Sequence, residues 1–545
     1  MCIRDSVKPF TAEQLKTMPI KYRILVTIAS LLFSISQPNY VACAESGVSQ
    51  PGTGRPNIVL IMADDLGYGD VGCYGAKDIP TPHIDALAAG GVRFTDGYCS
   101  ASTCTPTRFS LLTGKYAFRQ PGAGIAPPNA TALIKPGTTT LPSILKKAGY
   151  ATAVVGKWHL GLGAKPAPDW NGELKPGPLE IGFDYSFLLP TTNDRVPCVY
   201  VENHRVLNLD PTDPLWVGRK KPSPDHPTGK DSEVRSKLKM DWSHGHNNTV
   251  HNGIGRIGFF TGGYSARFRD EDLADQWVYR STKWIEEHKD EPFFLFFSSH
   301  DLHVPRMPHE RFQGKTKLGY RGDSIVQLDW CVGRLMQTLK RLEVEKNTLV
   351  IFCSDNGPVL DDGYRDGAIT ELGDHEPAGK FRGGKYSIYE GGTRTPLIAY
   401  WPDTIAPQES ENVVCTVDFA ASLAALTGQE LADEECPDSF NVLPSLLGKP
   451  EATGRDHLVQ QPNRGGSLAY RKGDWKVLAY AKKPKPIKAI TSKNKRGEKK
   501  RSQFELYNLA DDPSEQNNLA NMHPEKLDEL LKELELIRSK GRSRR

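Results

Sequence analysis

The sequence predicts an α/β protein, with a large mixed, mostly parallel sheet sandwiched by helices and a smaller C-terminal unit of antiparallel strands plus one helix. Three observations carry this expectation. Apolar runs without polar alternation recur at 57–62, 150–156, 292–298 and 348–353, as strands buried on both faces require. Helix-like segments separate them, which gives the rhythm of a parallel sheet covered by helices. After about residue 448 the character changes to short strands punctuated by turns, then a long amphipathic segment. The expected units are a catalytic domain over 55–447 and a small α+β domain over 448–540.

Residues 1–44 read as a signal peptide. Lys21 and Arg23 precede "ILVTIASLLFSI" at 24–35, and "ACA" at 42–44 offers a small-x-small cleavage site. The apolar run is short for a membrane span. The first seventeen residues fit such a peptide badly, so Met18 stands as an alternative start. Cys43 as a lipid carrier lacks the Leu-rich box before it. The expectation is export to a periplasmic or extracellular space as a soluble protein, since no later segment reads as a membrane span.

Ordered structure is expected from Arg55. "NIVLIM" at 57–62 reads as a buried strand running into "ADDLGYGD". A helix follows over 82–89, stopped by Gly90 and Gly91. In "TTLPSILKKAG" at 139–149, Thr140 as cap, Pro142 early and Gly149 at the end mark a short helix. A strand then ends at Gly156, Lys157 and His159. Residues 271–288 read as a helix, "PFFLFFS" as a buried strand, 321–342 as a helix and "TLVIFCSDNGP" as a strand ending in Asp355 and Asn356. Residues 166–269, rich in Pro, Gly, Asn and His, form an insertion that faces substrate. Beyond 448, "RDHLVQQ", "LAYRKGDWKVLAY" and "QFELYNL" read as antiparallel strands, and 523–541 as a helix. The lysine-rich stretch at 481–502 reads as a solvated loop.

The chain of 545 residues has a net charge of only +4, which argues against a nucleic-acid partner. Eight of its ten cysteines follow Ala44, with no C-x-x-C pair and no zinc-like spacing. Asp64, Asp65, Lys157, His159, His303, Asp355 and Asn356 all follow strand ends, where open α/β sheets gather ligands. The oxygen donors Asp64, Asp65, Asp355 and Asn356 suit a hard divalent cation, and on that ground calcium and magnesium both qualify. Arg108, Lys157, His159, His303 and Lys385 add positive charge and proton donors for an oxyanionic substrate.

Five blocks carry a resemblance. "NIVLIMADDLGYGD", "CTPTR" at 104–108 continuing through "LLTGKY", "VVGKWHLG", "CSDNGP" and "RGGKYSIYEGGTRTPLIAYWP" resemble, in order, those of the type I (formylglycine-dependent) sulfatases, arylsulfatase-like members of the alkaline-phosphatase-like superfamily. The resemblance spans the chain from Asn57 onward. It implies that a sulfatase-maturing, formylglycine-generating enzyme oxidises Cys104 to an aldehyde. It implies further that Asp64, Asp65, Asp355 and Asn356, with the modified Cys104, hold Ca2+ ahead of Mg2+. Arg108 supports the modified residue, and Lys157 and His159 flank it. His303 and Lys385 hold the sulfate and its leaving oxygen. The hydrated aldehyde attacks sulfur in line, His303 protonates the departing alcohol, and His159 takes the proton of the second hydroxyl as sulfate leaves. Thr105 and Thr107 stand where serine is frequent, and Lys115 where arginine is common. Of the two histidines in "SSHDLHVP", His303 with Pro305 matches the family better than His300.

Export, the polar insertion and the small second domain point to a sulfated carbohydrate, a galactose or hexosamine unit, as substrate. Candidate substrate contacts are His246, Asn247, His251, Arg267, His300, Asp301 and His375, each of which has an ordinary loop-bracing alternative. A phosphate or phosphonate monoester hydrolase on the same scaffold is the first rival reading. A non-catalytic sulfated-glycan binding protein is the second.

Overall fold

The computed structural model describes residues 55–463, 466–482 and 503–544. The signal peptide and almost all of the lysine-rich stretch fall outside the described residues. From Arg55 the chain forms one compact unit around a ten-stranded sheet. Its centre is five parallel strands: β1 (Asn57–Ala63), β3 (Ala151–Lys157), β4 (Tyr185–Leu189), β9 (Phe293–Ser298) and β10 (Thr348–Ser354), adjacent in the order β10-β1-β9-β3-β4. On the β10 side lie β11 (Leu397–Tyr400), β2 (Val92–Phe94) and β12 (Gln408–Ser410), in the order β10-β11-β2-β12. Next to β4 run β5 (Val201–Glu202) and β6 (Arg205–Val206), both in antiparallel pairings. The sheet is therefore mixed and mostly parallel at its heart, as expected.

Helices cover the sheet. They include α1 (Pro82–Ala89), α2 (Cys104–Thr113), α3 (Leu141–Lys147), α4 (Leu273–His288) and α5 (Gly319–Arg341). The Thr140 hydroxyl accepts from Ser143 N at 3.3 Å and caps α3, as its sequence signals required. Helix α4 starts two residues later than expected, because 270–272 is wound as a single 3₁₀ turn. Helix α5 begins at Gly319, two residues early.

The register fixes where the chemistry sits. Met62 pairs with both Ser298 and Cys353, Ala63 with Ser354, and Ser298 with Gly156. The strands therefore end level, and Asp64, Asp355, Ser299 and Lys157 emerge side by side. Gly156 makes this possible. It has a φ of 114°, and a Cβ there would lie 1.9 Å from the Ser298 carbonyl oxygen.

The C-terminal strands β13 (His457–Gln460), β14 (Leu468–Lys472), β15 (Trp475–Ala479) and β16 (Phe504–Asn508) form a four-stranded antiparallel sheet, and helix α6 (Pro524–Lys540) packs against it. Leu458, Val477, Leu506 and Leu534 share their core with Tyr98 and Tyr116. Buried charge reinforces the contact. Lys476 Nζ lies 2.8 Å from Glu390 and 3.0 Å from Glu515, and Arg471 meets Asp96 at 2.5 Å. The sheet also reaches the segment before Cys104: Ser102 N donates to Gln461 O at 2.9 Å, and Gln461 N donates to Ser100 O at 3.2 Å. Lys476→Ala should lower unfolding free energy by about 3–5 kcal/mol, because buried Glu515 loses its cation and, among the described residues, Glu390 is left paired with Arg394 alone at 3.3 Å. A urea midpoint equal to wild type would exclude that account.

Candidate active site

Cys104 opens helix α2 and is 1 % exposed. Its Sγ lies 3.2 Å from His159 Nδ1. The other ring nitrogen, Nε2, is 2.9 Å from the Ala126 carbonyl, which accepts only from an N–H. That contact places the ring proton on Nε2 and turns a lone pair on Nδ1 toward Cys104. Burial, then Lys157, push the His159 pKa well below that of ordinary histidine, so the ring is neutral at pH 7. His159 reaches this position through a left-handed backbone (φ 54°), and Asp65 shares that conformation (φ 58°). Two such residues at one site are strain held in place by the surrounding fold.

Arg108, one turn along α2, ties the helix to three strand ends. Its Nε donates to Asp355 Oδ2 at 2.9 Å, a second nitrogen pairs with the same oxygen at 2.7 Å, and a third donates to the Lys157 carbonyl and the Ser298 hydroxyl. Lys157 forms an ion pair with Asp64. Lys385 Nζ lies 2.9 Å from Asp65 Oδ2 and 2.7 Å from Asp362 Oδ2. Burial favours the neutral amine at Lys385, but Asp362 and Asp65 outweigh it and raise its pKa well above that of ordinary lysine. All of these groups except Asp362 are essentially inaccessible to solvent.

The donor set fits a hard cation. Asp64, Asp65, Asp355 and Asn356 are all fully buried. Asp64 Oδ1 and Asn356 Oδ1 have no hydrogen-bond donor, a costly state for buried oxygens unless something else meets them. Burial and the Asp355 carboxylate push the Asp64 carboxyl well above the usual range, against the pull of Lys157. A divalent ion would relieve both penalties. Ligand atoms of Asp64, Asp65 and His303 lie within 4.8 Å of one another, so the cluster includes a histidine that the sequence placed on the substrate side. His303 Nδ1 is 2.7 Å from the Val304 carbonyl, which fixes the proton on Nδ1. Burial, then Lys385 and Lys157, lower its pKa well below the ordinary value.

The remaining candidates divide into two groups. His246 Nε2 lies 2.9 Å from Asp194 Oδ2, and Asp194 pairs with Arg195 at 2.9 Å; the field of this pair reaches His159 and His303. Asn247 is nine-tenths buried beside His246, and among the described residues only the Asn248 amide donates to its Oδ1, at 3.5 Å. The others are committed to the scaffold. His251 Nε2 bonds the Phe268 carbonyl at 2.6 Å, and Arg267 donates to Gly262 O at 2.7 Å. His375 bonds Asp70, which also takes Arg321 in a two-pronged pair. His300 Nδ1 accepts from Trp277 Nε1 at 3.0 Å, and the Asp301 carboxylate accepts from Gln327. The Asp301 main chain does matter to the site, because its carbonyl receives Asp64 N at 2.8 Å.

Sequence reasoning missed Asp194, Arg195, Asp362 and Ser298. A signal existed for the first two: "TTNDR" begins one residue, Pro190, after a central strand, β4. Asp362 sits in a loop far from any strand end, and only the fold brings it to Lys385.

Comparison with known proteins agrees with this geometry. A family model described as Sulfatase matches residues 56–429. The N-acetylgalactosamine-6-O-sulfatase of Bacteroides thetaiotaomicron is 50% identical over 488 residues, covering 89% of this chain and 94% of its own. Human arylsulfatase A is 33% identical over 496 residues, covering 89% and 88%. Among solved structures, one described under the metabolism of multiple glycosaminoglycans by Bacteroides thetaiotaomicron superposes with a TM-score of 0.83 and 48% identity, covering 89% of this chain and all of that one. The phosphonate monoester hydrolase of Agrobacterium radiobacter shares the fold alone, with a TM-score of 0.55, 18% identity and coverage of 89% and 96%. Matched by the family model through the whole central sheet and alike to named sulfatases over nine-tenths of its length, the chain belongs to the sulfatase family.

Proposed function

We propose that the protein is an exported, calcium-dependent sulfatase that releases inorganic sulfate from the 6-position of an N-acetylgalactosamine-type unit in a sulfated carbohydrate. The observation that carries the substrate reading is the 50% identity with N-acetylgalactosamine-6-O-sulfatase along 488 residues. The targeting pattern at 21–44 supports export. No helix among the described residues is long and apolar enough to cross a membrane.

In this reading Asp64, Asp65, Asp355 and Asn356 hold the cation, with Cys104 in its matured form facing it. A maturing enzyme must therefore act on this chain. The matured side chain supplies, as its hydrate, one hydroxyl to attack sulfur and a second to expel sulfate, and the cation supplies charge for the sulfate oxygens. Lys157, Lys385 and Arg108 neutralise the anion from the protein side, and each is already paired with a buried carboxylate. A bound sulfate ester would compete for Lys385, which Asp362 keeps in reach. His159 presents an unprotonated Nδ1 at position 104 and takes the proton whose loss frees sulfate. His303 bonds backbone through Nδ1, so Nε2 is the atom that delivers a proton to the leaving oxygen once the anionic ester has raised its basicity. Asp194 and Arg195 are polar groups offered to sugar hydroxyls, and His246, bonded at both ring nitrogens to the His244 carbonyl and Asp194, holds Asp194 in place.

The test is turnover by protein matured in a host that carries out the modification. Sulfate release from 6-sulfated N-acetylgalactosamine should exceed that from its 4-sulfated isomer, and from the matched 6-phosphate, by at least about 100-fold in kcat/KM. Preference for the 4-sulfate would overturn the regiochemistry, and faster turnover of the phosphate would overturn the reaction class.

A further inference from the structure

The insertion carries a two-stranded ribbon, β7 (Trp216–Gly218) against β8 (Phe259–Thr261), with Thr261 opposite Trp216 and Gly218 opposite Phe259. One face of the ribbon belongs to the core: Phe260 is 1 % exposed and Val217 packs against the same cluster. Alternation sends Trp216, Gly218, Phe259 and Thr261 to the other face, where Phe259 is covered beside His226 and Trp216 is left open. There Trp216 is 42 % exposed, an unusual state for the largest apolar side chain. Its ring lies over Gly218, where a Cβ would come within 2.7 Å of Cη2 and Cζ2. The glycine leaves room for an indole laid along the strand.

Two glycines beyond Thr261 stands Tyr264, 73 % exposed. The Arg267 guanidinium lies 4.0 Å from its ring centroid and 4.4 Å from that of buried Phe260, so it braces the exposed ring against the core. Trp216 and Tyr264 therefore leave the backbone at one end of the ribbon, and the Trp216 ring reaches back over Gly218 toward the other. Directly after Gly218 come Arg219, Lys220 and Lys221, all exposed. Among the described residues none of these three meets a carboxylate at ion-pair distance, and Lys221 only donates to the Pro224 carbonyl.

Two solvent-facing rings, followed in the chain by three cations that meet no carboxylate among the described residues, bury little surface and so add little to folding. They match a ligand that offers apolar sugar faces for stacking and sulfate groups for guanidinium and ammonium. The ribbon is also joined to the candidate active site. Ile257 N donates to the Asp194 carbonyl at 2.8 Å, and Thr261 is four residues further along, at most about 13 Å away because the chain bends at Gly258. A few sugar units span that gap.

We propose that the outer face of this ribbon is a second, non-catalytic binding site for a sulfated polysaccharide, holding a polymeric substrate while a residue of it occupies the active site. The proposal rests on the sulfated-carbohydrate reading above. A second contact acts through effective concentration, so it favours long substrates and leaves short ones unaffected.

The test separates binding from turnover. Full-length protein carrying Cys104→Ala is run in native gels containing chondroitin 6-sulfate, alone and combined with Trp216→Ala/Tyr264→Ala or with Arg219→Ala/Lys220→Ala/Lys221→Ala. Either combination should weaken retardation about 5- to 10-fold, and an unsulfated polymer should retard none of them. In matured protein with Cys104 intact, the same surface substitutions should raise KM on the polymer while kcat/KM on 6-sulfated N-acetylgalactosamine stays at the wild-type value. Unchanged retardation in both combinations, or an equal loss on polymer and monosaccharide, would overturn the proposal. If the monosaccharide is not a substrate but retardation still depends on Trp216 and the cations, the ribbon site stands and the substrate reading fails.

Discussion

Serine in place of Cys104 should reduce steady-state sulfate release by at least about 10⁴-fold, yet still let about one equivalent of desulfated alcohol go in the first turnover. A single hydroxyl at position 104 can attack sulfur, with Arg108, Lys157 and Lys385 still in place to bind the anion. What it lacks is the second hydroxyl whose proton His159 Nδ1, 3.2 Å away in the unmodified chain, would accept. The sulfuryl group should therefore remain on the protein, adding about 80 Da to the intact mass. Wild-type enzyme from a maturing host should instead weigh about 18 Da less than its signal-cleaved sequence, since an aldehyde has replaced a thiol. Cys104→Ala should give neither burst nor turnover with the fold retained, because the side chain lies at the strand-end site and a methyl group fits its space. Multiple turnover by the serine variant, or active native enzyme whose 104–108 peptide retains its sulfur, would remove Cys104 from the reaction.

Much of this site was legible in the sequence because the central strands are buried on both faces. Continuous apolar runs such as "FFLFFS" leave their first polar residues at the strand ends, and the level register places those residues together. Asp64, Lys157 and Asp355 follow from that rule alone. His251, Arg267 and His375 did not follow it. They were singled out for residue type in a polar insertion or loop, and type does not reveal whether a ring nitrogen meets a ligand or a backbone carbonyl. Asp194 and Arg195 were missed for the converse reason, since a charged pair after a strand looks like turn chemistry until the fold sets it beside His246. Asp362 shows the limit most clearly. Its role toward Lys385 depends on a loop path that no local pattern encodes, and the short aromatic strand β8 gains its meaning only from its partner β7.

Asp355→Ala should abolish both metal retention and turnover, and the two losses have separable causes. Asp355 Oδ2 carries the Arg108 guanidinium, while its Oδ1 accepts Asp65 N at 3.3 Å. Removing the carboxylate strips one charge from the cation site and strands a buried arginine. The second effect alone should cost about 3–5 kcal/mol of stability. Asp355→Asn divides the two effects, because an amide oxygen can still accept from Arg108 while the negative charge is gone. Elemental analysis should then show about one calcium per chain in wild type and under about a tenth in both variants, with kcat lower by at least about 10³-fold. A readout independent of turnover follows from linkage. Saturating calcium at about 100 times its Kd should stabilise wild type by about 2.7 kcal/mol, and should stabilise neither variant. If Asp355→Asn keeps both its calcium and the calcium-dependent rise in Tm, the unsatisfied oxygens of Asp64 and Asn356 must be met in some other way, and the strand-end carboxylates then serve only to hold Arg108, Lys157 and Lys385 in position for the sulfate.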